Sequence, residues 1–534
     1  IIFFFFLLLV KMKLLFCLVT LFFVFHVISC NTITINTSLG KVIGIHEDSI
    51  SKFKSIPYAQ TTAGTNRWQP PIPIQAWSDA YNATEYIAAC AQPYYPPDSD
   101  PFLNVPRSED CLQLNIFTPL DFTSPVTSEF PVMVYIHGGS FYSGWGGDPI
   151  FHGDYIVNQT MNTVLVTINY RLGALGFLVT EEIGGNFGFM DQQLALKWVQ
   201  DNIGDYGGDP NKVTIFGQSA GGMSVTLHLL SPSSFGLYQR ALIESNPAGI
   251  NYRNQEESYA YGENLANNLG CNVTDINCLQ SKTWEEIIDA QDEGVRPLYF
   301  PFNTTEVMQF YPTIDGNLIP EQPIQMLLNG DINPNVEAVT IGTNRNDSMT
   351  FIPNGYISPI EYEALVFSFF GINATRVLHH YPPVEGDNSN NLSIAATDWL
   401  FVCPTRVAAR GFASITDTYA YQFFHVPSDD PMNPNHLACA KAVCHSDELV
   451  YVFHSSEFVN ATYTPDEVEL SFEMLHYWTN FAHNITDPPY PNLPSWPKYN
   501  QNTSKSMRFD FEITVTSNYD DEKCNFWDSM GYYN

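Results

Sequence analysis

The stretch Val213-Thr214-Ile215-Phe216-Gly217-Gln218-Ser219-Ala220-Gly221-Gly222 decides how this chain is read. An apolar, β-branched run leads into Gly217-x-Ser219-x-Gly221. A helix-compatible segment, Met223 to Leu230, leads out. Glycines two before and two after a serine, between a strand and a helix, make a nucleophile elbow, a turn so tight that only small residues fit at those two places. The turn lifts Ser219 above the sheet edge and points the Ala220 N–H at whatever binds there. A serine nucleophile also needs a general base and a group that orients it. In the strand–elbow–helix arrangement the chain order is Ser, then Asp or Glu, then His. Thirteen histidines offer candidates for the base.

Other segments fall in order around the elbow: Ser108-Glu109-Asp110-Cys111-Leu112 with Leu114-Asn115-Ile116, then Asn169-Tyr170-Arg171 with Gly173 and Gly176-Phe177. Gly185-Asn186 with Gly188, Asp191-Gln192 and Ala195-Leu196 follows, and then Asn202-Ile203 with Gly207-Gly208-Asp209-Pro210. Together with Gly217–Gly222, these resemble the type-B carboxylesterases and cholinesterases, from about Ile33 to about Trp527. The resemblance implies an α/β-hydrolase fold: a mostly parallel central sheet, helices on both faces and long insertions. It also implies one large domain over 31–534.

The resemblance places the remaining catalytic parts. His445, in Cys444-His445-Ser446-Asp447-Glu448 followed by Leu449 to Phe453, matches a His-x-x-Glu motif and is the expected base. Without that motif it would read as an ordinary histidine, and His436 and His454 are its neighbours in competition. The acid falls on Asp347 in Gly342-Thr343-Asn344-Arg345-Asn346-Asp347, where the family carries Glu. An Asp is one methylene shorter, yet it can accept the imidazole N–H if the loop moves inward. The alternative is a solvated loop carboxylate and an impaired enzyme. Pro131–Ile136 reads as a buried strand running into His137-Gly138-Gly139-Ser140-Phe141. The amides of Gly139, Ser140 and Ala220, supported by Gly138, are the expected oxyanion hole. Ser140 stands where the family usually has a third Gly, and its backbone N–H remains. The implied substrate is a small-molecule ester. No cofactor or metal is expected: zinc-type Cys/His spacing, a phosphate loop and a helical pair of metal-binding histidines are all missing from the sequence.

A 534-residue chain, 45% hydrophobic and 15% charged, can bury a large core. A net charge of −33 argues against nucleic acid and anionic membranes. Such a field could draw cationic substrates, but a solvated acidic surface is the plainer reading. Residues 1–30 read as upstream residues plus a signal peptide: a start at Met12, Lys13, an apolar run Leu14–Ile28 and cleavage near Ser29–Asn31. Val27-Ile28-Ser29-Cys30 also looks like a lipoprotein cleavage box, and 1–28 is long enough for a membrane anchor. Eleven Asn-x-Ser/Thr sequons favour simple secretion: Asn36, Asn82, Asn158, Asn272, Asn303, Asn346, Asn373, Asn391, Asn460, Asn484 and Asn502. Of these, Asn346 touches Asp347 and is expected to stay unmodified. The protein is therefore expected in the secretory pathway, secreted or held in secretory or lysosome-like vesicles, without a stable membrane span after cleavage. The oligomeric state stays open.

Besides Cys17 and Cys30, eight cysteines remain, an even number suited to an oxidising compartment. The family pattern pairs Cys90 with Cys111, Cys271 with Cys278 and Cys403 with Cys524. Cys439 and Cys444 are left over and either pair or stay free. Thr32–Ile35 and Lys41–Ile45 suggest a hairpin. Thr163–Asn169, Val213–Phe216, Arg240–Ser245, Ala338–Gly342 and Tyr419–Phe424 join Pro131–Ile136 as core strands, with helices such as Asp191–Asn202 between them. Gln92–Pro106 reads as a closed loop and Gly371–Asn391 as a surface loop.

Cholinesterases place a Trp between their first bridged cysteines. Here that loop offers only Tyr94, Tyr95 and Phe102, and Gln218 stands where they carry Glu. Both departures favour a general carboxylesterase over a cholinesterase. A lipase-like specificity stays open, as does a secreted storage or binding protein with a weak or silent site.

Overall fold

A computed structural model describes residues 31–531 except 48, 95–104, 128, 161–162, 293–307, 353, 489 and 520. The expected leader over 1–30, most of the Gln92–Pro106 loop with Tyr95 and Phe102, and the Asn303 sequon lie outside the described residues.

The alternation of β-branched and aromatic residues builds one large sheet. Seven strands run parallel in the order Val164–Ile168, Phe130–Ile136, Gly208–Gln218, Arg240–Glu244, Ala338–Asn344, Asp417–Phe423 and Ser506–Phe509. Antiparallel strands extend it at both ends: Gln113–Thr118, Ile50–Pro57, Gly40–Glu47 and Asn31–Thr37 on one side, Thr514–Thr516 on the other. Successive side chains of a strand face opposite ways, so the sheet feeds two cores. Val132, Val134, Ile136, Ile215 and Ile243 enter one core, and Met133, Tyr135, Phe216 and Leu242 enter the other. The helices Phe187–Asn202 and Ala220–Leu230 cover the first face, and Asp447–Val452 and Pro465–Ala482 cover the second. Helices on both faces of parallel strands are the α/β-hydrolase arrangement expected from the sequence.

Expected strands and helices are present with longer ends. The strand expected at Val213–Phe216 spans Gly208–Gln218, and the helices expected at Asp191–Asn202 and Met223–Leu230 begin at Phe187 and Ala220. The expected loop at Gly371–Asn391 is a correction. Ala374–His380 is helical, and a second helix starts at Ser389. The polar residues that suggested a loop organise the turn between them. The Asn388 side chain accepts from Val384 N–H (2.8 Å) and donates to the carbonyls of Val384 and Gly386 (both 3.1 Å). Among the described residues, no helix is long and apolar enough to cross a membrane.

Candidate active site

The central strand Gly208–Gln218 stops at Ser219, and the next helix begins at Ala220. Ser219 has φ 58° and ψ −121°. A non-glycine residue here stores strain of about 1–3 kcal/mol, tolerated only when its surroundings over-determine it. The surroundings are tight: a Cβ on Gly221 would stand 2.0 Å from the Ile136 carbonyl oxygen, and one on Gly217 would stand 2.6 Å from it. Both glycines are therefore fixed by backbone packing. Ser219 N–H donates to Glu244 O (3.0 Å), and Met223 N–H donates to Ser219 O (2.8 Å).

Asp347 and His445 come from different parts of the chain and meet with 2.8 Å between Oδ1 and Nδ1. Asp347 is fully buried at the start of a short 3-10 turn that follows strand Ala338–Asn344. Its other oxygen accepts from Asn344 N–H at 2.8 Å. The carboxylate therefore holds the proton of His445 on Nδ1 and leaves Nε2 as the acceptor. His445 is held in turn by a hydrogen bond from its N–H to Thr350 Oγ1 (3.1 Å). Phe351 and Phe401 pack on its ring at 5.3 and 5.2 Å.

All four disulfides are formed: Cys90–Cys111, Cys271–Cys278, Cys403–Cys524 and Cys439–Cys444. The last closes the loop that delivers His445. Asn344 also ties this loop down, donating from its side chain to Cys444 O (2.8 Å) and to the Glu448 carboxyl. The two competing histidines are engaged elsewhere: His436 Nε2 with Ile352 O (2.7 Å) and His454 Nδ1 with Ser471 Oγ (2.8 Å).

Behind the Asp347–His445 pair lie two more carboxyls. Burial, then the nearby Asp347 charge, pushes Glu448 well above the ordinary carboxyl range. Burial pushes Glu244 up to about 8, although Trp478 Nε1–H donates to it at 2.6 Å. Neutral carboxyls there leave Asp347 as the negative partner of the imidazole.

The expected oxyanion-hole segment follows strand Phe130–Ile136. Gly139 has φ 98°, and a Cβ there would lie 2.1 Å from the Ser143 carbonyl oxygen. Ser140 and Phe141 both have φ 57°. The Ala220 N–H belongs to the first turn of its helix, where no intrahelical acceptor exists.

Ser219, Ser140 and Ala220 line a narrow, mainly apolar cavity of about 40 Å³, closed by Met308, Phe351 and Phe401. The Phe351 and Phe401 walls of this cavity also pack on the His445 imidazole. At His445 Nε2 the recorded neighbour is Gln218 Nε2, at 3.2 Å. The sequence marked Gln218 as a departure from the family, but gave no sign of this contact. Phe351 lies one short turn beyond Asp347, whereas Phe401 carries no signal that could have found it.

The chain matches the carboxylesterase family over residues 31–527. It is 35% identical over 512 residues to the Crystal protein of Dictyostelium discoideum, covering 92% of this chain and 90% of that one. It is 32% identical over 512 residues to the para-nitrobenzyl esterase of Bacillus subtilis (strain 168), covering 92% and 97%. A solved structure of PNB esterase superposes with a TM-score of 0.78 at 31% identity, covering 92% of this chain and 99% of that one. Sequence, fold and relatives agree that this chain belongs to the carboxylesterase family.

Proposed function

We propose that this protein is a serine esterase that hydrolyses carboxylic esters with short acyl groups through an acyl-enzyme. The observation that carries the reading is the fully buried Asp347 held 2.8 Å from His445 Nδ1, with Ser219 in the elbow of the adjoining cavity. His445 Nε2 takes the Ser219 proton, exchanging its Gln218 contact for the hydroxyl. Ser219 Oγ attacks the ester carbonyl, and the oxyanion lies against the amides of Gly139, Ser140 and Ala220. Each such donor typically lowers the barrier by roughly 3–4 kcal/mol. His445 then gives its proton to the departing alkoxide as the carbon–oxygen bond breaks. Water, deprotonated by the same nitrogen, releases the acid and restores Ser219. Asp347 stabilises the imidazolium in both halves. The small, apolar volume beside Ser219 suits an acetyl or similar group.

Secretion is part of the proposal. Four disulfides suit an oxidising compartment. Asn36, Asn82, Asn158, Asn272, Asn460, Asn484 and Asn502 are exposed acceptors for glycans.

A second reading has one observation in its favour: Gln218 rather than Ser219 is the neighbour recorded at His445 Nε2. An engaged base would suit a silent site in a storage or binding protein. Initial rates on p-nitrophenyl acetate beside Ser219→Ala separate the two. Turnover that vanishes in the variant supports the esterase, whereas equal background in both supports the silent site.

A further inference from the structure

The cavity beside Ser219 takes part of its wall from two separate stretches of chain. Pro247 and Ile250 follow strand Arg240–Glu244, and Met308 comes from a later segment. The two stretches are distant in sequence, so the width between them depends on what ties one to the other. The first is anchored to the rest of the cavity: Gly249 N–H donates to the carbonyl of Leu400 (3.0 Å), itself a wall residue. The second is tied to the first through Arg253, three residues beyond Ile250.

Arg253 is 5% exposed. Its Nη2 donates to the Met308 carbonyl (2.9 Å) and to the Gln309 carbonyl. The guanidinium carbon lies 3.8 Å from the centre of the Tyr261 ring and 4.6 Å from that of Tyr311. The backbone adds a second tie. Arg253 N–H donates to the Tyr311 hydroxyl (3.2 Å), and that hydroxyl donates to Asn251 O (2.9 Å). Ile314 N–H donates to Arg253 O (2.8 Å). A buried charge is costly unless it is hydrogen-bonded, and a charged donor makes a bond roughly twice as strong as a neutral one. The planar guanidinium, packed against two rings, cannot swing away without losing both carbonyls. The main chain at Met308 is thereby held at a fixed distance from the Ile250 turn.

Resting on the esterase reading, we propose that Arg253 is a positioning residue that limits the length of acyl chain the enzyme accepts, by clamping Met308 against the Ile250 side of the cavity. Arg253 does not itself line the cavity, so it acts through Met308. In a space of about 40 Å³ each added methylene must displace a wall, and a packed wall resists displacement. With the clamp cut, the Met308 main chain recedes and longer acyl groups fit.

The test is the ratio of kcat/KM for p-nitrophenyl hexanoate to that for p-nitrophenyl acetate. The leaving group is constant, so the ratio reads the acyl side, and any loss of folded protein cancels in it. Arg253→Met keeps the bulk of the side chain and deletes its donors. The ratio is expected to rise by about tenfold over wild type. Arg253→Lys keeps the cation and a donor, and its ratio is expected between the two. A merely structural role slows both esters alike. An unchanged or lower ratio in Arg253→Met therefore overturns the proposal. If that variant fails to fold, Tyr311→Phe decides: it removes the hydroxyl between Arg253 N–H and Asn251 O, and the ratio is expected to rise by about threefold. An unchanged ratio there overturns the clamp. Absence of Ser219-dependent turnover of either ester by the wild-type protein overturns the esterase reading and the clamp with it; turnover with no change of ratio in the variants overturns only the clamp.

Discussion

Ser219 lines a small cavity, His445 packs against two of its aromatic walls, and the two residues are held by different means. Ser219 is set by backbone alone: a positive φ, two glycines pressed against the Ile136 carbonyl and a helix starting at the next residue. His445 is set by side chains and a cross-link: Asp347, Thr350, two aromatic rings, and Asn344 and Cys439 acting on its loop. A backbone device tolerates no added atom but needs no partner. A side-chain device can be dismantled one contact at a time. The nucleophile should therefore fail all at once, and the base by degrees.

The largest expected effect is chemical. Ser219→Ala should lower kcat on p-nitrophenyl acetate by about 10⁵-fold or more with Tm unchanged or raised. Asp347→Asn should lower kcat by about 10⁴-fold, because the imidazole loses its carboxylate partner. Asp347→Glu should retain far more activity, since the carboxylate persists. Equal losses in the two variants would show that the loop accepts only the shorter acid.

Gly221→Ala tests the backbone device. Its Cβ collides with the Ile136 carbonyl, and thermal unfolding should report a loss of about 3 kcal/mol. Little change in Tm would mean that the elbow relaxes.

The cross-link can be tested against another of similar span. Removing Cys439–Cys444 or Cys271–Cys278 by paired Ser substitution should cost about 2 kcal/mol each. Only the first should also lower kcat, by about tenfold, because it alone borders His445. Equal kcat in the two variants would show that Asp347 and Thr350 suffice to hold the base.

The last test bears on stability alone and concerns the buried carboxyl of Glu244. Glu244 is raised in the folded protein to about 8, from an ordinary value of 4.5. Between those values the folded state binds a proton that the unfolded chain has lost, so stability falls as pH rises through that window. Glu244→Gln keeps an acceptor for Trp478 and removes the titration. Its Tm should match the wild type near pH 4 and exceed it by a widening margin as the pH rises toward 8. A constant difference across pH would place the charge elsewhere.

What the sequence made legible follows the same division. Gly217 and Gly221 announce the elbow because their requirement is local and steric, and the β-branched strands announce the sheet because their alternation is local too. Asp347 and His445 could be named only through a family resemblance, since no spacing rule brings distant loops together. Gln218 at Nε2 and Phe401 over the imidazole depend on three-dimensional packing and leave no trace in a single sequence. The misread segment at Gly371–Asn391 has the same origin: Asn388 suggests a loop in composition, but its side chain folds back to organise the turn before a helix.

Asn346 is 9% exposed, its N–H donates to Val443 O at 2.9 Å, and its side chain accepts from Val443 N–H at 3.3 Å. It heads the sequon Asn346-Asp347-Ser348, so the middle residue of that sequon is the acid beside His445. A sugar chain on Asn346 and the native pairing of Asp347 with His445 exclude each other. If the chain is made in a glycosylating compartment, as the proposed secretion requires, this segment faces a race. If the region around Asn346 folds first, the acceptor is sealed away. If sugar transfer comes first, the molecule carries a permanent wedge where its acid belongs. The fraction of active molecules would then be set by the order of two events during synthesis, as well as by the stability of the finished fold.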